Sequence, residues 1–249
     1  MAGHSKWANI KHRKGRQDAR RSKLWSKCSR AIIVAARNGG GDPAMNLALR
    51  YAIDEAKAQN MPKDTIANAI KKGTGDVEGV NYESVVYEGY GPGGVAVMLD
   101  CLTDNRNRTV PELRKAFEKF GGNLGESGCV AYNFEQKGQI YLAGGDADEE
   151  AVMAAALEAG ADDIREEDGG WEVQCPPGDF IAVREALENA GFTIESAQIT
   201  MIPQTTIAVT GRDAEKTMHL MEALEDHDDV QKVHANFDID EKELAALEG

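Results

Sequence analysis

The hydrophobic period of this 249-residue chain changes near residue 75, and that change divides the chain into two kinds of structure. Before it, apolar residues recur every three or four positions. After it, alternating and β-branched runs are interrupted by helices that end on glycine. From Asp18 to Asn38 the apolar stripe is Leu24, Cys28, Ala31, Ile32 and Ala35, which predicts a helix stopped by Gly39-Gly40-Gly41. Asp42 is placed to cap a second helix with Pro43 at its first position, and the apolar face of that helix is Leu49, Ala52, Ile53 and Ala56. Pro62 opens a third helix bearing Ile66, Ala69 and Ile70, closed by Gly73; a glycine-rich linker runs on to Asn81.

Beyond the linker, Val85–Tyr90 and Val95–Thr103 read as strands joined by Gly91-Pro92-Gly93-Gly94. A helix at Pro111–Phe120 and strands at Cys129–Phe134 and Gln139–Leu142 follow. Then come a helix at Glu149–Ala159, strands near Asp163–Arg165 and at Trp171–Gln174, a helix at Phe180–Ala190 and a strand at Thr193–Ile202. A last helix, Asp213–Leu224, leads to a last strand, Val230–Phe237. An internal near-repeat supports this order: the helices ending at Gly121, Gly160 and Gly191 each stop on glycine and enter a strand. A fourth copy begins at Met221-Glu-Ala-Leu224 but runs on through Glu225-Asp226-His227-Asp228-Asp229.

Residues 139–202 therefore spell β-α-β-β-α-β, one complete ferredoxin-like unit. Residues 82–134 spell only β-β-α-β and lack a helix and a strand, which the α-β segment after residue 205 would supply. The expected fold is α+β: an N-terminal three-helix domain, then two ferredoxin-like α/β domains, the third inserted into the second. The expected domains are 1–75, a discontinuous 80–135 plus 205–240, and the inserted 136–204.

Charge is segregated along the chain. The net charge is −14, yet residues 1–75 carry 16 Lys+Arg and 5 Asp+Glu, a net of +11, against −25 for the remainder. Segregation of this kind points to a polyanion partner at one end. The acidic remainder would repel that partner and restrict how it lies. The chain has no apolar run of about 18 residues, so no membrane span is expected. The basic N-terminus lacks an apolar core and is not read as a secretory signal; it also fits a transit peptide, although it leads straight into a patterned helix. Four scattered cysteines with no CxxC pair suit a reducing, cytoplasmic setting and signal neither zinc nor redox chemistry.

Gly89-Tyr-Gly91-Pro-Gly93-Gly94 matches GxGxxG literally. A dinucleotide site needs a helix after the last glycine, whereas Gly94 feeds the strand beginning at Val95, so a hairpin turn is expected. The histidines show no metal spacing, and His219 and His227 are read as surface residues. No nucleophile elbow is present. No catalytic residue, metal or cofactor is expected. Thr103-Asp-Asn-Arg-Asn-Arg-Thr109 has two readings: Arg106 and Arg108 contact phosphate or another macromolecule, or the segment is a strand-to-helix turn capped by Thr109.

The first helix carries the strongest signal. At about 100° per residue, Lys23, Lys27, Arg30 and Arg37 fall beside one another, away from Leu24, Cys28 and Ala35. Ahead of them, Lys6, Lys11, Arg13, Lys14, Arg16 and Arg20 crowd a segment that includes Trp7, which either stacks on a base or tethers the arm. With Arg106 and Arg108, these are the expected nucleic-acid-binding residues.

Several motifs carry a family resemblance. Met1-Ala-Gly-His-Ser-Lys-Trp-Ala-Asn9, Gly39-Gly-Gly-Asp-Pro43, Tyr87-Glu-Gly-Tyr-Gly-Pro-Gly-Gly94 and Thr103-Asp-Asn-Arg-Asn-Arg-Thr109 resemble signatures of the YebC/PmpR family, as do Gly121-Gly-Asn-Leu-Gly125 and Met201-Ile-Pro203. The likeness runs from residue 1 to about 240. It implies a three-domain cytoplasmic protein, a probable transcriptional regulator that binds DNA; relatives also act as translation factors on ribosomes, mitochondrial translational activators among them. The acidic third domain departs most from the pattern. The leading expectation is a non-enzymatic DNA-binding regulator of transcription, and the alternative is a translation factor that binds RNA and the ribosome. The residues show neither helix-turn-helix spacing nor an RRM signature, which suits phosphate or shape binding. They give no oligomeric state.

Overall fold

The computed structural model describes residues 18–143, 149–167 and 169–240. The architecture is α+β, helices first and antiparallel sheets after. Among the described residues, three helices come first: α1 (Asp18–Gly39), α2 (Leu47–Ala58) and α3 (Lys63–Thr74). Both α2 and α3 pack on α1, so α1 buries Cys28, Ile32, Ile33 and Ala36. The expected stripe was therefore turned by about one position: Leu24 is 41 % exposed, because a helix gripped from two sides buries adjacent residues. Gly73 does not end α3 but lies inside it, where a Cβ would stand 2.6 Å from that of Ala36. The missing side chain is what lets the two helices approach this closely.

The second helix also starts later than expected. Its cap is Asn46, whose side-chain oxygen accepts from Leu49 N at 3.1 Å, while its amide donates to Ala35 O and Gly40 O at 2.8 Å each. An asparagine both donates and accepts, so it ties the end of α1 to the start of α2. Asp42 can only accept, and it closes the preceding turn through Ala44 N at 2.9 Å.

The chain then forms β1 (Glu83–Tyr90), β2 (Ala96–Thr103), α4 (Arg106–Lys119) and β3 (Asn123–Leu124). The inserted segment follows: β4 (Phe134–Leu142), α5 (Glu149–Glu158), β5 (Asp163–Glu167), β6 (Gly170–Cys175), α6 (Phe180–Asn189) and β7 (Ile194–Pro203). The last elements are β8 (Ile207–Ala208), α7 (Gly211–Glu225), β9 (Val230–Ala235) and β10 (Phe237–Asp238). Residues 132–204 make one compact unit, and the chain on either side of them makes the other.

In the latter unit the antiparallel sheet has the order β3-β1-β2-β9. The fourth strand thus comes from beyond the insertion. The helices α4 and α7 lie on the sheet over Val97, Leu99, Leu113, Phe117, Leu220 and Leu224, all fully buried. In residues 132–204 the order is β5-β6-β4-β7, which sets the first and third strands at the centre as a ferredoxin-like sheet does. Its core includes Ile140, Val152, Val173, Val183 and Leu187. Glu172, buried on this sheet, accepts from Tyr141 Oη at 2.8 Å, Gln139 Nε2 at 3.1 Å and Gln174 Nε2 at 2.5 Å.

Two further expectations needed correction. Of Cys129–Phe134 only Phe134, the first residue of β4, is in a strand: Ala131–Asn133 is a 3-10 turn, and the strand after α4 is Asn123–Leu124. The cause is Glu88 on β1. Its buried carboxylate accepts from Gly128 N, Val130 N and Ala131 N at 2.7, 2.8 and 2.8 Å, taking up donors that a sheet would otherwise use. The pair β8 and β10, two residues each and parallel, is too short to register as a period and was missed.

Candidate nucleic-acid interface

Lys23, Lys27 and Arg30 stand at i, i+4 and i+7 on α1, so their side chains share one face. There they meet the end of α7. A helix leaves its last carbonyls without intrahelical partners, and its C-terminus carries the negative end of the macrodipole. Lys27 Nζ donates to Glu225 O at 2.6 Å and Lys23 Nζ to Asp226 O at 3.2 Å. Arg30 Nη1 donates to Asp228 O and, at 2.9 Å, to Asp229 Oδ1. The Arg30 guanidinium also lies over the Tyr82 ring, 5.3 Å from its centroid.

Asp229 is the centre of this arrangement. It is 1 % exposed, and its second oxygen accepts from Arg108 Nη2 and Thr109 Oγ1, each at 2.7 Å. Thr103 Oγ1 lies 2.8 Å from Thr109 Oγ1 and steadies that hydroxyl. Burial alone would raise the Asp229 pKa. The hydrogen bonds from Arg108 and Thr109 and the nearby Arg108 and Arg30 charges outweigh burial and hold the carboxyl below its ordinary value. Three stretches of chain are joined here: α1, the start of α4, and the turn that links α7 to β9. They border an open cleft of about 480 Å³ lined by Lys23, Arg30, Tyr82, Arg108, His227 and Asp229, among others.

Most of the described cations expected to bind nucleic acid therefore have partners within the chain. Arg37 Nη2 donates to Val80 O at 3.3 Å. Arg106, on the surface, pairs with Glu83 at 2.6 Å. Arg108 bridges Asp104 at 2.9 Å and Asp229. Arg20 lies in the first turn of α1. Lys6, Lys11, Arg13, Lys14 and Arg16, with Trp7, lie outside the described residues. Lys63, Lys71 and Lys72 of α3 stand exposed.

The Thr103–Thr109 segment is a strand-to-helix turn, but its cap is Asn105, which accepts from Arg108 N at 3.2 Å. The helix begins at Arg106, with Pro111 inside it, and the Thr109 hydroxyl serves Asp229 instead. His219 is exposed as expected, and His227 lies in the wall of the open cleft, its side chain 14 % exposed and its Nε2 3.0 Å from Glu112 Oε2. Asp229 and Tyr82 are not among the residues expected at the site. The one available signal was the fourth near-repeat, which replaces the terminal glycine with Glu225–Asp229.

Gly91–Gly94 forms the expected turn: a 3-10 segment, Pro92–Gly94, with Gly91 N donating to Val95 O at 2.7 Å. Burial pushes the thiols of Cys28 and Cys175 up to about 11 and that of Cys101 to about 12, so these sulfurs stay protonated at neutral pH. Among the described residues, no group of three or more His, Cys, Asp or Glu side chains is placed to hold a metal ion. No helix among them is long and apolar enough to cross a membrane.

Two family models match this chain. One, described as the TACO1/YebC protein N-terminal domain, covers residues 5–76; the other, the TACO1/YebC second and third domain, covers residues 82–237. The chain belongs to the TACO1/YebC family. The motif resemblance thus pointed to the right family. A probable transcriptional regulatory protein of Geobacter sulfurreducens is 57 % identical over 247 residues, covering 99 % of this chain and 100 % of the relative. One from Thiobacillus denitrificans is 59 % identical over 239 residues, 95 % of this chain and 98 % of the relative. Among solved structures, a conserved hypothetical protein of Aquifex aeolicus superposes with a TM-score of 0.81 at 48 % identity, covering 92 % of this chain and 96 % of that one.

Proposed function

We propose that this protein is a non-enzymatic, cytoplasmic regulator of transcription that holds DNA through the basic residues of segment 1–75. The observation that carries the reading is the charge segregation, +11 over residues 1–75 against −25 over the remainder. Duplex DNA is a dense line of phosphates, and a segment of this charge gains affinity by displacing condensed counterions. The names of the relatives support the same reading. The binding residues proposed are Lys6, Lys11, Arg13, Lys14, Arg16 and Arg20 together with the α1 cations Lys23, Lys27, Arg30 and Arg37; Arg106 and Arg108 extend the set at the start of α4. Such contacts fix position on a backbone and carry little sequence information, so broad specificity is expected. Crosslinking in cells followed by sequencing of the bound nucleic acid tests the reading. Promoter DNA is the expected recovery. Recovery of ribosomal RNA or messenger RNA alone would replace it with a role in translation.

A further inference from the structure

Three of the cations assigned to phosphate binding are spent on this chain's own C-terminal half. Lys23, Lys27 and Arg30 take up the carbonyls of Glu225, Asp226 and Asp228, and Arg30 also takes up the carboxylate of Asp229. Chemically the turn 225–229 resembles a short run of phosphates. It offers successive oxygen acceptors at a helix's negative end, and four of its five side chains are acidic. Its place is secured from the other side by Arg108 and Thr109.

We infer that the basic face of α1 has two mutually exclusive occupants, the turn 225–229 of this chain and the phosphate backbone of a nucleic acid. The inference rests on the proposed binding role of segment 1–75. In the closed state the turn screens the three cations, and only cations elsewhere in the segment meet phosphate. In the open state α1 leaves the turn and its cations join the interface. The contacts favour such exchange. Those made by Lys23, Lys27 and Arg30 with the turn are polar, and the partners of Asp229 on the α4 side stay in place when Arg30 departs, so its carboxylate is not stranded.

Opening multiplies apparent affinity by the gain in the binding-competent fraction. The decisive variant leaves every α1 cation intact. Asp226→Lys with Asp228→Lys, both at exposed positions, sets positive charge against Lys23 and Arg30. Glu149→Lys with Glu150→Lys makes the same charge change on α5 and serves as the control. Binding is read on a duplex DNA of about 20 base pairs across a salt series. The turn variant is expected to bind about tenfold tighter, as a state held by about a tenth of the molecules becomes the main one. Its slope of log affinity against log salt should steepen by about 0.9 for each cation that reaches a phosphate. The control should change affinity less than threefold.

A second readout is independent of nucleic acid. Spin labels at Ser26→Cys and Glu215→Cys, both exposed, report the distance between α1 and α7. The wild type should show a short distance with a minor longer population of about a tenth; the turn variant should make the longer distance the main one, and Asp229→Asn should enlarge it. Equal gains in the turn variant and the control would overturn the inference while leaving the proposed binding role intact. A label distance unchanged in both variants would overturn it too. If the wild type and the open variant both fail to bind DNA or RNA, the binding role falls; a longer population then shows only that the clasp opens, and the competition is refuted with the binding.

Discussion

Two buried carboxylates hold this structure together in opposite ways. Glu88 is satisfied by three backbone N–H groups from one short stretch, Gly128 to Ala131. Asp229 is satisfied by side chains from separate elements, Arg30 of α1 and Arg108 and Thr109 of α4. Both carboxyls are held below their ordinary values: burial works against this in each, and hydrogen-bond donors outweigh it. The difference lies in what each can release. Backbone donors belong to the loop and leave only if it unfolds. A guanidinium on a neighbouring helix can swing away whole. Glu88 therefore fixes a loop, and Asp229 joins segments that remain separable.

The sharpest way to break this comparison is to cut the chain. A fragment of residues 80–135 keeps Glu88 and its loop donors but loses Asp229, α7 and β9, the partner of β2 opposite β1. It should show no cooperative melt, whereas residues 132–204 alone should melt cooperatively. A folded 80–135 fragment would mean that the Glu88 loop needs nothing from the C-terminal segment.

The next largest effect should come from Glu88→Ala. Each buried donor left unsatisfied costs about 1–3 kcal/mol, and water can reach part of this loop, so a loss of about 3 kcal/mol in chemical denaturation is expected. Asp229→Ala should cost less, about 2 kcal/mol. Breaking a buried ion pair typically costs about 3–5 kcal/mol, but Arg108 is 42 % exposed and keeps Asp104, and Arg30 keeps the Asp228 carbonyl. If Asp229→Ala proved the costlier change, the assignment of fixed and separable roles would be reversed.

Acid should act on both sites in the same direction. A carboxyl whose folded pKa is depressed contributes stability above its unfolded pKa and loses it as pH falls through the folded one. The unfolded values are about 4.5 for Glu88 and 3.8 for Asp229, so stability should hold down to about pH 5 and then fall toward pH 2. Denaturation midpoints across that range should drop less in Glu88→Gln and in Asp229→Asn than in the wild type. A wild-type profile as flat as theirs would remove both carboxylates from the account.

The smallest effect on the fold belongs to the arm. Changing Arg13, Lys14 and Arg16 to Ala should leave the melting of the inserted unit unaltered. Binding should weaken for all sequences alike, and the salt slope should flatten by up to about two to three units if all three side chains touch phosphate. A triple variant that keeps both affinity and slope would move the binding elsewhere on the molecule.

What depends on neighbours along the chain was legible without the fold. Helical spacing gave three helices before residue 75, β-branched alternation gave most of the strands, and the repeated helix-glycine-strand pattern gave the β-α-β-β-α-β insertion. Motif likeness pointed to the family. Local competition between neighbouring side chains was less legible: Asn46 rather than Asp42 caps α2, and Asn105 rather than Thr109 caps α4. Both outcomes depend on where the rest of the chain already lies, since Asn46 reaches back to α1 and Thr109 is taken by Asp229. The partners of the α1 cations were decided by tertiary structure alone. Lys27 and Glu225 are 198 positions apart, and their attraction leaves no periodic trace in the sequence. A basic helical face reads the same whether phosphate or a carbonyl of its own chain lies opposite, because both offer an oxygen acceptor to the same cation.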